Sequence, residues 1–295
     1  MTKTIDPDTH PQFDSLIKYA VAPRPICFAS TVDKSGRVNL SPFSYFNFMS
    51  QRPPICVFSP LRRMRDGSTK HTLDNIREVP EVVINIVNYA MVQQQSLAST
   101  EYPKDVNEFI KSGFTPVAAE LVTPPRVAES PVQLECRVHQ VIELPNIPGA
   151  GNLVLAEVLR MHVHETLFDE DNGLDQARLD LVGRLGGDWY CRVTSDNLFE
   201  VAKPLRSRGI GVDQLPQQIR LSPILTGNHL GQLGNIEALP SENEVEVIRE
   251  NPEIRDILNA FLGDKTTLHI HLHRKAAELL DAGDIMEAWK ILLLV

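Results

Sequence analysis

The sequence predicts a mainly β domain with helical inserts, followed by an α-helical C-terminal extension. Three observations lead there. Up to about residue 204, short runs rich in Val, Ile and Phe recur at close spacing, which is the pattern of a barrel or sandwich. Prolines and glycines punctuate those runs. Beyond that point a polar stretch leads into apolar residues at helical spacing from about residue 251. With 295 residues, 42% of them apolar, the chain is long enough for one large domain or two small ones. We place them at residues 1–204 and 205–295.

Each element has its own signal. Ile26 to Val32 reads as a strand and runs into a turn at Lys34-Ser35-Gly36. Pro54 to Ser59 is an apolar run bounded by prolines, as in a buried strand. Glu81 to Val87 is rich in Val and Ile. Val132 to Val138 alternates, with Val132, Leu134, Cys136 and Val138 on one face and Gln133, Glu135 and Arg137 on the other. Leu153 to Val163 is another strand, and Trp189 to Val193 a short closing one. Helical inserts are expected at Thr69 to Glu78 and Met91 to Ala98. In the extension, Asn251-Pro252 is a helix start, with Ile254, Ile257, Leu258 and Phe261 on one face. Thr267 to His273 alternates like a strand. Leu268, Leu272, Ala276 and Leu280 also fit a helix ending before Gly283, and that reading is preferred. Asp284 with Glu287 resembles a capping box ahead of Ile285, Ala288, Trp289, Leu292 and Leu293.

Composition excludes several function classes. A net charge of −9 argues against non-specific nucleic-acid binding. No apolar run approaches the ~18 residues of a membrane span. The polar, acidic N-terminal segment lacks the build of a signal peptide. Cys27, Cys56, Cys136 and Cys191 lie far apart with no C-x-x-C pair, as expected of buried, reduced thiols in a cytoplasmic protein. There is no zinc-protease, nucleophile-elbow or Walker motif. Gly209 and Gly211 lack a third glycine, and Gly183, Gly186 and Gly187 have the wrong spacing, which argues against a Rossmann dehydrogenase. His269, His271 and His273 share a face only on a strand, and the helix reading scatters them, so no metal site is expected.

One segment carries candidate chemistry. Ser41, Pro42, Phe43, Ser44, Tyr45, Phe46 and Asn47 combine hydrogen-bonding side chains with three aromatics in four residues. Ser and Asn can grip a polar heterocycle while the rings wall its flat face. The alternative is an aromatic core stripe. Lys70 and Thr72 suit a phosphate, or else begin a solvated helix. Arg24, between two prolines, is either a phosphate or ring contact or a surface charge. Arg184, beside Gly186-Gly187, can bond a carbonyl or a phosphate, or form a salt bridge at a subunit contact. The glycine pair would permit close backbone approach. These residues describe a planar phosphorylated ligand on a β scaffold.

In order along the chain, Pro23 to Ile26, Gly36, Asn39 to Asn47, Pro53-Pro54, Lys70 to Thr72, Asp105 to Phe109, Pro124 to Ser130, Leu134 to Cys136 and Arg184 to Tyr190 resemble the flavin reductase-like, FMN-binding split-barrel family. The branch is that of flavoredoxin and the reductase component of nitrilotriacetate monooxygenase. The resemblance covers about residues 15 to 203, with one departure: His71 stands where the family usually has Asp. It implies FMN as cofactor, NADH or NADPH as hydride donor, and a homodimer in which two subunits build each flavin pocket. It also implies a partner monooxygenase or another electron acceptor. The implied flavin contacts are Arg24, Ser41 to Asn47, Ser59, Lys70, Thr72 and Arg184, with no catalytic side chain, because the cofactor carries the chemistry. The alternatives are an electron carrier without NAD(P)H activity and a non-redox ligand-binding barrel.

Overall fold

The computed structural model describes residues 1–205 and 208–294. The chain divides into two compact units, Met1–Phe199 and Glu200–Val295.

The first unit opens with helix α1 (Phe13–Ala20) and then builds a seven-stranded antiparallel sheet. Its strands are β1 (Cys27–Val32), β2 (Val38–Phe43), β3 (Phe46–Gln51), β4 (Pro54–Phe58), β5 (Glu81–Ile86), β8 (Val132–Glu143) and β9 (Asn152–Val163), in the order β2-β1-β5-β8-β9-β4-β3. Between them lie α2 (His71–Glu78), α3 (Val92–Leu97), α4 (Glu108–Ser112) and the small ribbon of β6 (Pro116–Val117) with β7 (Arg126–Val127). Helix α5 (Gln176–Leu179) precedes the hairpin of β10 (Val182–Arg184) and β11 (Tyr190–Arg192).

β2 and β3 lie at opposite edges of the sheet, yet only Ser44 and Tyr45 separate them in the chain. Two linking residues reach no more than about 10 Å. The sheet must therefore curl until its edges meet at this point, and because β2 and β3 do not pair, the result is a split barrel.

β1 is buried along its whole length because both of its faces are covered. Cys27 and Ala29 point into the barrel with Phe43, Phe58, Val82, Ile84 and Ala156. Phe28 points the other way, into a second cluster with Met91, Phe109 and Phe114 and a T-shaped contact to Phe114 at 5.2 Å. α2 sends Leu73 and Ile76 into the barrel interior. The bend at Ser44-Tyr45 breaks strand alternation, so Phe43 and Phe46 both reach the core while Tyr45 stays exposed.

The alternation of β8 leaves Arg137 in water but not Glu135. Glu135 is fully buried. It accepts hydrogen bonds from the main-chain N–H groups of Glu120 (2.9 Å) and Leu121 (2.6 Å), and His162 Nε2 lies 2.6 Å away. The loop at Glu120 covers this face, and its bonds outweigh burial to hold the Glu135 carboxyl below its usual range.

The second unit is helical and starts earlier than residue 251. Three short helices, α6 (Gln217–Arg220), α7 (Gly227–Gly234) and α8 (Glu242–Ile248), precede α9 (Pro252–Ala260), α10 (Lys265–Asp281) and α11 (Ile285–Leu292). α7 and α8 have capping boxes, Thr226 with His229 and Ser241 with Glu244, inside a stretch whose polar composition masked them. Asn251 caps α9 through bonds from the N–H groups of Glu253 and Ile254. The histidines lie on α10: His271 stacks on Phe261, and His273 Nδ1 lies 2.7 Å from Ser222 Oγ. Gly283, at φ 87°, follows this helix in the left-handed region open to glycine. Asp284 makes no side-chain cap; Glu287 pairs with Lys290 instead. Trp289 is the centre of one cluster, fully buried with its indole N–H on Leu233 O at 3.1 Å. Ile254, Leu272 and Ile291 anchor a second.

Candidate functional site

Barrel closure puts the Ser44-Tyr45 bend beside several other segments. Together they enclose a cavity of about 320 Å³, within the usual range for small-ligand sites. Ser41, Pro42, Phe43, Ser44 and Tyr45 form one wall. Ser59 and Leu61 follow β4, Lys70 begins α2, and Ser99 follows α3. Lys18, Arg24, Arg184, Leu185 and Gly187 complete the lining.

Arg24 is a buried cation rather than a surface charge. Its guanidinium donates to the carbonyls of Lys18 (2.7 Å), Val21 (2.6 Å) and Leu185 (2.9 Å). These bonds tie the C-terminal end of α1, where a cation is favoured, to the loop after β10. The group lies 5.9 Å from the centre of the Tyr45 ring. Its Nε is buried without a partner, and no carboxylate faces it among the described residues. A buried donor left without a partner costs free energy.

At the other end, Lys70 is the N-cap of α2 and uses no side-chain cap. The first main-chain N–H with an internal acceptor is that of Leu73, on Lys70 O. The N–H groups of His71 and Thr72 have none among the described residues, and with the helix dipole they favour an anion. The Thr72 hydroxyl is committed elsewhere. Asn39 Nδ2 donates to Glu108 (2.9 Å), which turns Asn39 Oδ1 toward Thr72, and Thr72 Oγ1 donates to it at 2.7 Å. What Thr72 presents is thus its main-chain N–H. Burial is the main cause that lowers the His71 pKa, with the charge of Arg63 next. Where an Asp would add negative charge, the ring is therefore neutral at pH 7.

Of the residues expected to contact a ligand, Arg24, Ser41, Pro42, Phe43, Ser44, Tyr45, Ser59, Lys70 and Arg184 line the cavity. Three do not. Thr72 borders a small adjoining depression. Phe46 packs in the barrel core, and exposed Asn47 accepts from the N–H of Phe48. Ser59 Oγ accepts from the N–H of Asn152 at 3.1 Å, and a Cβ on Gly151 would come within 2.7 Å of that oxygen. Gly186-Gly187 permits a close approach, but by the Tyr19 ring of α1. A Cβ on Gly186 would fall 2.4 Å from it. Arg184 stacks 4.6 Å over Tyr190 and donates to Trp189 O at 3.2 Å. Lys18, Leu61, Ser99, Leu185 and Gly187 were missed, because only the fold brings these loop and helix-end positions together.

The thiols take no part. Burial raises the pKa of Cys27 and Cys136 well above the ordinary thiol value and that of Cys56 to about 11, so all three stay protonated in the barrel core. Cys191 departs from the expectation of burial and is half-buried.

The donor set fits a flavin mononucleotide in kind. The Tyr45 ring and the Arg24 guanidinium line the cavity together with Lys70, and the free amides that begin α2 border the adjoining depression. The flavin reductase like domain matches residues 19–178. An uncharacterized protein of Aquifex aeolicus is 32% identical over 192 residues, covering 65% of this chain and 94% of the relative. Among solved structures, nitrilotriacetate monooxygenase component B from Bacillus cereus superposes with a TM-score of 0.63 at 28% identity, over 68% of this chain and 99% of that one. The 2-nitrobenzoate 2-nitroreductase NbaA of Pseudomonas fluorescens gives 0.60 at 27% identity, over 69% and 98%. A match over more than half of its length, on a split barrel, makes this chain a member of the flavin reductase like domain family.

Proposed function

We propose that this chain binds FMN and uses NADH or NADPH to reduce it, handing reduced flavin or electrons to a partner oxygenase or another acceptor. The observation that carries the reading is the pairing, in one cavity, of the Tyr45 and Arg24 end with the Lys70 and α2 end. Bound flavin would supply hydride acceptance and electron release. The chain's residues would do the rest. Lys70 and the amides of His71 and Thr72 would hold the phosphate. Arg24 would set its positive charge beside the ring system, and Tyr45 would cover the ring and exclude water. No side chain need move a proton for this role.

The monooxygenase component named among the structural relatives supports an oxygenase partner. The proposed working unit is a homodimer. Phe48 and Met49, exposed on edge strand β3 at 50% and 64%, support it, since such residues on an open edge favour covering.

Anaerobic mixing of the FMN-loaded protein with NADH or NADPH tests the activity. Bleaching of the flavin absorbance within seconds is expected with at least one donor. Tight FMN binding without bleaching would assign an electron carrier instead. Absence of flavin binding would reject the reading.

A further inference from the structure

We propose that Glu101 is a displaceable internal anion that competes with the flavin phosphate, and so sets how strongly the chain prefers FMN to riboflavin. The inference rests on the flavin reading and adds a specificity-determining residue to it.

The geometry is a carboxylate seated among the cations meant for a phosphate. Glu101 Oε1 lies 3.3 Å from Lys70 Nζ and accepts from Arg63 Nε at 3.1 Å, and its second oxygen lies 3.8 Å from an Arg65 nitrogen. The Lys70 hydrogen bond, then the neighbouring charges, holds its carboxyl below the usual range, so it is charged at neutral pH. Arg63 is anchored independently by Ser68 Oγ at 3.1 Å and by the Thr69 carbonyl, so it stays in place if Glu101 leaves. The depression that Glu101, Lys70 and Arg63 share with Ser99, His71 and Thr72 has room for about 20 Å³. That holds one water. A phosphate reaching the amides of His71 and Thr72 must therefore take the place of the carboxylate.

Displacement is easy here. The Glu101 side chain is 45% exposed, and half-exposed ion pairs are weak. The residue lies in the irregular segment between α3 and α4, where it can swing into solvent without breaking a helix or strand. A phosphate offers more acceptor oxygens and more charge than a carboxylate, so it wins, but by less than it would against empty cations. Riboflavin has no phosphate and does not meet the competitor.

The test is flavin fluorescence quenching on the full chain, comparing FMN and riboflavin in wild type and in Glu101→Gln, which keeps shape and removes charge. FMN should bind about tenfold more tightly to the variant, while riboflavin affinity stays within twofold to threefold. Unchanged or weaker FMN binding by E101Q, with riboflavin still bound, overturns the competitor alone. Failure of both flavins to bind wild type rejects the flavin reading and this inference with it. A measurement on the native chain serves independently of the variant. Wild type should prefer FMN to riboflavin only modestly, and a preference of about a thousandfold would overturn the proposal, since no competition would then be evident.

Discussion

In the barrel unit, seven buried side-chain polar atoms lack a hydrogen-bond partner among the described residues; in the helical unit one does, Gln232 Oε1. Length does not account for this, since the barrel unit is only about twice as long. The helical unit instead closes its polar accounts locally: Thr226, Ser241, Asn251 and Asp264 each cap a helix, and Trp289 sends its only donor to Leu233 O. The barrel leaves Arg24 Nε buried without a partner and the first amides of α2 without acceptors. A buried polar group without a partner is costly, and of the seven only Arg24 Nε belongs to a residue that lines the cavity. The contrast separates a unit that leaves several buried polar atoms unmatched from one that pairs nearly all of its own.

The largest change should come from the helical unit. Trp289→Ala removes a fully buried ring and its hydrogen bond, at an expected cost of about 3–5 kcal/mol. Thermal unfolding followed by circular dichroism should show the helical signal lost at lower temperature, with FMN affinity unchanged. A parallel loss of FMN binding would break the comparison, because the helices would then be supporting the cavity.

Lys70→Ala probes the other side. Losing a charge-assisted bond should weaken FMN binding by about 1.5–3 kcal/mol, or one to two orders of magnitude. Riboflavin binding and the melting temperature should barely move, because Lys70 forms only a half-exposed pair with Glu101. Fluorescence titration and a melting curve on the same variant sharpen the contrast. Equal losses for both flavins would place Lys70 at the ring instead of the phosphate.

The smallest effect concerns Glu108, which joins β2 to α4 by accepting from Leu40 N and Asn39. Burial raises its pKa above the model-compound value of 4.5. The folded chain then holds this proton more tightly than the unfolded chain. Its contribution to stability is present at low pH and fades as pH rises from about 4.5 through the raised folded value. Denaturant midpoints of wild type minus Glu108→Gln should therefore fall across that window. A difference that rises with pH would show that the Asn39 and Leu40 bonds outweigh burial.

Much of this molecule was legible in the residues themselves. Strand periodicity located β1, β4, β5, β9 and β11 to within a residue or two, because alternation and turn chemistry are local. The amphipathic stripes of α9 and α11 were equally plain, α10 was preferred over a strand that fits part of the same residues, and the flavin family could be read from short motifs in order. Helices α7 and α8 were not, since their capping boxes lie in polar sequence with few apolar positions. The aromatic wall was legible as residues but not as geometry. Phe43, Tyr45 and Phe46 look alike on paper, and only the bend between the two edge strands sends Tyr45 to the cavity and Phe46 to the core. The same holds for Glu135, a polar-face residue by periodicity that the Glu120 loop buries, and for Glu101, whose place among Lys70, Arg63 and Arg65 depends on a fold contact 31 residues along the chain from Lys70. Periodicity and capping are set by neighbours in the chain and belong to the sequence. Burial, charge pairing and the direction of a side chain at a bend are set by segments that meet only when the sheet curls, and the tertiary structure alone decided them.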